Sequence, residues 1–181
     1  MKLSFTTLGC PDWSLDKIIA KAVEFGFDAI DFRGMMGVME LYRLPEFTTE
    51  IKKTRNLIQE AGLEVSCFSS SVQLCRTDKA AAHVEEITEY SKLCKIFGTT
   101  HIRVFGGKIG KLSREEALEK AAKHWKELAE LASREGVKLL LETHDDWVDS
   151  MNVRALIQHT KSDHVGVLWD VRHSYRNRYL R

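Results

Sequence analysis

Two apolar runs in this chain end in the same chemistry. Val137-Lys138-Leu139-Leu140-Leu141 stops at Glu142-Thr143-His144, and Val165-Gly166-Val167-Leu168-Trp169 stops at Asp170-Val171-Arg172-His173. A buried parallel strand reads as a nearly continuous apolar run. A carboxylate at its exit, with an imidazole close behind, offers oxygen and nitrogen donors at the edge of a core. That is where α/β proteins hold metals and substrates. Glu142 follows three leucines, and desolvating a lone carboxylate is costly. It therefore needs a partner, either a metal or substrate, or a buried ion pair with Arg103 one strand away. Side chains alternate along a strand, so Glu142 and His144 point the same way if the strand persists that far. Asp170 carries the same argument behind Leu168-Trp169, with His173 three residues on. The other histidines read as structural or solvated, because His83, His124 and His159 fall on predicted helices and His101 and His164 near strand starts.

The elements that must position these groups show a weak repeat. Gly26, Gly62, Gly98 and Gly136 recur at near-equal intervals, each after an amphipathic stretch and before an apolar one. Glycine just past a helix end closes the helix in the left-handed conformation. One helix and one strand per interval is the βα unit of a parallel sheet. The pattern predicts strands near 2–8, 28–33, 63–69, 100–105, 137–142 and 164–170. Helices are expected near 14–25, 47–61, 78–97, 113–135 and 152–160, with Ser14 capping the first and a Ser113/Glu116 capping box opening the fourth. No Pro/Gly-rich linker interrupts the chain, so residues 1–181 read as one domain. Successive βα units fit a doubly wound sheet or a closed barrel. Gly106-Gly107-Lys108-Ile109-Gly110 has neither the P-loop nor the dinucleotide spacing. The strand exits, in order, carry Cys10 and Asp12, Asp31 and Arg33, Ser69 to Ser71, Arg103, Glu142 and His144, then Asp170 and His173. Such a ring of polar groups suits a small polar substrate, although loop ends are polar in any protein.

Composition sets the outer limits. The 181 residues are 44% hydrophobic and 29% charged, with a formal net charge of +1. That balance gives no general attraction to nucleic acid or to an anionic membrane. No window approaches a membrane span of ~18 apolar residues. The first ten residues are too short and too polar for a signal-peptide core. Cys10, Cys67, Cys75 and Cys94 show no C-x-x-C pairing, so reduced thiols and a cytoplasmic location are expected.

Leu141-Glu142-Thr143-His144-Asp145-Asp146, followed after one helix by the stretch from Val165 to Arg176, resembles the xylose isomerase-like sugar phosphate isomerase/epimerase superfamily. So do Thr7 to Leu15, Ala29-Ile30-Asp31-Phe32-Arg33 and Ile102-Arg103-Val104-Phe105-Gly106-Gly107, in the same order. The resemblance implies a (β/α)8 TIM barrel, here incomplete, with six parallel strands and alternating helices. The family's usual site is one divalent metal on a Glu, an Asp, a His and a second Glu. Glu142 matches the first Glu and Asp170 the Asp, while His144 matches a substrate-side histidine and His173 one that binds substrate or, in nuclease relatives, metal. The later His and Glu have no counterpart, so the expectation is a barrel lacking its C-terminal quarter and weak or inactive as a monomer. An open sheet edge invites a homodimer. The resemblance implies metal-assisted proton transfer next to a ketose or aldose carbonyl, with Glu142 as metal ligand and proton carrier. Mn or Mg is the expected ion, ahead of Zn. Arg33, Arg103 or Arg176 could meet a phosphate, so the partner is a sugar or a sugar phosphate. Two rivals are an apurinic endonuclease-like hydrolase, disfavoured by the absence of histidine at the third and fourth strand exits, and a non-catalytic assembly unit.

Overall fold

The structure is a computed structural model that describes residues 1–179, with side chains through Arg176. Strands and helices alternate along the whole of it: β1 (Ser4–Thr6), α1 (Leu15–Glu24), β2 (Ala29–Phe32), α2 (Ile51–Glu60), β3 (Glu64–Gln73), α3 (Ala80–Phe97), β4 (His101–Phe105), α4 (Arg114–Glu135), β5 (Lys138–Glu142), α5 (Ser150–Thr160), β6 (Val165–Leu168) and α6 (Val171–Tyr179). The six strands are parallel and follow one another across a single sheet in chain order. That order excludes the doubly wound alternative, in which strand order reverses at a switch point. It is the order of a (β/α)8 barrel over six of its strands. The register of the last pair matters for the site. Leu139 lies beside Val165, Leu140 beside Gly166, Leu141 beside Val167 and Glu142 beside Leu168. No helix among the described residues is long and apolar enough to cross a membrane.

The chain forms two compact units. One comprises Met1–Ser70 with Glu89–His101, the other Ser71–Thr88 with Ile102–Arg181. The first is built around aromatic rings. Phe32 lies 5.2 Å from Phe47 and 5.9 Å from Phe68, and Phe68 lies 5.7 Å from Tyr90. Rings at these spacings, tilted or offset, gain beyond their buried area. The helix expected from about residue 47 begins only at Ile51, after a 3-10 turn at Pro45–Phe47. Phe47 is buried at that turn, so core packing rather than helical continuity sets the local path.

The second unit holds the long helix α4. Ser113 accepts from the Glu116 amide at 3.2 Å while the Glu116 carboxylate accepts from the Ser113 amide at 2.8 Å. The capping box expected there is thus complete. Gly136 closes the helix at φ 72°, a conformation that costs a side-chain-bearing residue. Ala121, Trp125, Leu128 and Ala132 are buried along one face of α4, as are Leu139 and Leu141 of the next strand. Three local features differ from expectation. Ser14 stands at the α1 N-cap, but its side chain makes no capping hydrogen bond. Strand β3 runs on to Gln73. The last strand stops at Leu168, and α6 starts at Val171, where no helix is apparent from the apolar pattern.

Candidate active site at the exits of β4, β5 and β6

Glu142 is the last residue of β5, and alternation sends its side chain to the same face as Leu140, opposite the buried Leu139 and Leu141. Arg103 lies on β4 and is almost fully buried. Its Nε sits 3.0 Å from Glu142 Oε2. The guanidinium also lies over the Phe105 ring, 3.8 Å from its centroid. The ion pair weighed from the sequence is therefore present. Burial pushes the Glu142 carboxyl above its usual range, and the Arg103 charge works against that rise. Asp170 is close enough to raise it further.

His144 follows two residues after Glu142. Its ring centroid is 4.9 Å from that of Phe105 and 4.1 Å from that of His173. One donor atom each from Glu142, His144 and His173 lie within 4.8 Å of one another, and all three residues are half-buried. Asp170 stands beside this trio. Its Oδ2 is 3.9 Å from His173 Nε2, and its Oδ1 accepts the His173 amide at 2.9 Å. Asp145 faces the other ring, with Oδ1 3.1 Å from His144 Nδ1. That nitrogen is buried and makes no hydrogen bond of good geometry.

The strand exits are tied together beneath this surface. Thr143 N–H donates to Leu168 O at 3.0 Å. Its hydroxyl accepts the Asp170 amide at 2.8 Å and donates to Asp170 O at 3.4 Å. Trp147 is fully buried just beyond. A side chain on Gly106 would place its Cβ 2.1 Å from Trp147 Cδ1, so only glycine allows the β4 exit to pass this ring.

Of the residues singled out from the sequence, Arg103, Glu142, His144, Asp170 and His173 are all in the second unit and meet at these exits. Arg33 belongs to the first unit, buried at the end of β2, where its amide donates to Thr7 Oγ1 at 2.8 Å. Arg176 is exposed on α6. Sequence reasoning did not single out Phe105, Asp145 or Thr143. Phe105 and Asp145 lie in runs already quoted, and their proximity to His144 becomes visible only in three dimensions. Thr143 carries no chemical signature at all.

Two imidazoles and a carboxylate converging within 4.8 Å form a donor set that suits a divalent ion. Each imidazole has a carboxylate near one nitrogen, Asp145 for His144 and Asp170 for His173, though neither pair has good hydrogen-bond geometry.

Comparisons with known proteins bear on the fold and the family. No curated protein sequence matches the chain. Among solved structures, the probable 3-DHS dehydratase AsbF of Bacillus anthracis superimposes with a TM-score of 0.82 at 20% identity, covering 97% of this chain and 65% of that one. The 3-keto-D-glucoside 4-epimerase YcjR of E. coli gives 0.76 at 16% identity, covering 97% and 70%. The IOLI protein, whose structure holds a zinc atom, gives 0.75 at 22% identity, covering 97% and 64%. The chain thus spans less than two thirds of the first and third of these proteins. At such identities the likeness is one of fold. The family model described as xylose isomerase-like TIM barrel matches residues 19–180. On that match, in agreement with the strand order, the chain belongs to the xylose isomerase-like TIM barrel family.

Proposed function

We propose that this chain carries the metal and proton-transfer centre of an isomerase or epimerase acting next to the carbonyl of a sugar or sugar phosphate. The observation that carries the reading is the convergence of Glu142, His144 and His173 within 4.8 Å at the exits of neighbouring parallel strands. A divalent ion bound there, Mn, Mg or Zn, would polarise the carbonyl and stabilise negative charge developing on its oxygen. Glu142 is its anchor, with Asp170 as the second carboxylate beside it. Support for the metal comes from the donor set and from the zinc held by the IOLI protein. Support for the reaction comes from the epimerase of the same fold.

The chain's own residues divide the remaining work. Glu142 takes and returns the proton at the carbon beside the carbonyl. Burial raises its proton affinity, while Arg103 keeps its ionised form accessible and fixes one of its oxygens. His144 and His173 supply the two imidazole donors of the ion's site. Phe105 packs against both Arg103 and His144. Arg103 is committed to Glu142, so a phosphate on the substrate would have to be met elsewhere, and Arg33 and Arg176 are the other candidates from the sequence.

The test is hydrogen exchange rather than net turnover. The protein is incubated in D2O with Mn²⁺ and a panel of ketoses and ketose phosphates, and deuterium at the carbon next to the carbonyl is followed by proton NMR. Exchange that is lost in Glu142→Gln is the expected result. Absence of exchange with every sugar in the panel, or exchange unaffected by Glu142→Gln, contradicts the proposal.

A further inference from the structure

We propose that Thr143 is a positioning residue whose buried hydroxyl locks the two halves of the site together. The inference rests on the metal reading above only for its affinity readout. Thr143 lies between Glu142 and His144 in the chain, and its side chain points the opposite way, where it is 5% exposed. Backbone pairing between β5 and β6 runs out just past the Glu142–Leu168 position. Beyond it, one side chain replaces the ladder. Thr143 Oγ1 holds both the amide and the carbonyl of Asp170.

Asp170 in turn sets the start of α6. Its carboxylate accepts the His173 amide at 2.9 Å, and its carbonyl accepts the Ser174 amide at 3.2 Å. That is the N-cap pattern, a side-chain bond to the third helical residue together with the first intrahelical bond. The first turn of α6 carries His173, whose ring meets His144 at 4.1 Å. One hydroxyl therefore fixes a path that leaves β5 at Glu142 and His144, crosses through Asp170, and returns to the same point as His173. Serine preserves this clamp. Valine matches threonine in shape but has no hydroxyl, so the Asp170 amide loses its partner, and a buried orphan amide is costly. Residues that orient metal ligands from outside typically change affinity by about 10–100-fold when replaced.

The experiment compares wild type with Thr143→Val and Thr143→Ser, with Thr143→Ala in reserve should the valine variant not fold. Thr160→Val serves as control, because Thr160 is a buried threonine of the same unit whose hydroxyl donates to Leu156 O at 3.1 Å, on α5. Amide hydrogen exchange is read by NMR in the absence of metal, and Co²⁺ and Mn²⁺ affinity by titration. The expected result is exchange at Asp170 and His173 at least about tenfold faster in the valine or alanine variant, with wild-type protection in serine. Metal affinity should fall about 10–100-fold in the same variant. Thr160→Val should lose global stability without either local change. Wild-type protection at Asp170 and His173 in Thr143→Val overturns the inference. If wild type binds neither ion but the exchange pattern appears, the clamp stands and the metal reading falls.

Discussion

Glu142 sits where two demands meet. As the last residue of an apolar strand it must be neutralised to be buried at all, and as the proposed proton carrier it must stay available. Arg103 answers the first demand at 3.0 Å from Oε2. Both side chains are well buried, at 5% and 13% exposure, so removing one partner leaves a charge in a poor solvent. Arg103→Met should cost about 3–5 kcal/mol, the range for breaking a buried pair. The double variant Arg103→Met with Glu142→Met should recover much of that loss. Urea unfolding of the four proteins in the cycle checks it, and an additive pair of losses would show that the two groups do not interact. At this scale much of the site was readable in the sequence. Alternation places Glu142 and His144 on one face, and that is where they are found. Asp170 and His173, three residues apart, are neighbours on a helix turn. What the sequence does not carry is the choice between the two readings of Glu142, because an ion pair across strands depends on register. Nor does it mark Thr143, whose role comes wholly from where β6 happens to end.

At the scale of elements, the strand–helix alternation was legible because its signals are local: apolar runs, capping residues and a glycine past each of the first four helices. The failures are also physical. The stretch before α2 bends at Pro45–Phe47 because Phe47 packs into an aromatic cluster that no local pattern announces. Helix α6 was missed because Asp170 caps it from within what reads as the strand exit. A second feature of this scale lies between α3 and α4. His83 Nδ1 and His124 Nε2 are 2.9 Å apart, and both rings are buried. Burial, then the charge of His124, holds His83 down to about 4. Lys79 and Arg76 push the same way and Asp78 opposes them. Burial also lowers His124, against the pull of Glu127. An unfolded histidine titrates near 6.5. Between pH ~6.5 and about 4 the unfolded chain therefore binds more protons than the folded one. Stability is fully retained above that window and falls as the pH drops through it, on the order of 2 kcal/mol. Replacing both rings, His83→Leu with His124→Leu, should flatten this part of the profile. An unchanged slope in the double variant, read by chemical denaturation at several pH values, would assign the proton uptake elsewhere.

For the whole molecule, chain-order pairing of six parallel strands leaves β1 and β6 at the two ends of the strand order. Near β6 the surface is apolar, with Val167 45% and Trp169 68% exposed. Among the described residues neither end strand has a second neighbour, and we propose that this edge and its apolar surface pair between chains. Sedimentation velocity should show mass that rises with concentration, and Val167→Lys with Trp169→Lys should weaken that association at least about tenfold. A monomer at all concentrations would remove the self-association expectation and leave the site untouched. The central claim, that strand exits converge on a cation, has a more direct test in isothermal titration of the protein with Mn²⁺ and Zn²⁺, repeated on Glu142→Gln. One ion per chain is expected, with affinity at least about 100-fold weaker once Glu142 is neutralised. Failure of wild type to bind either ion, or equal affinity in Glu142→Gln, would contradict it.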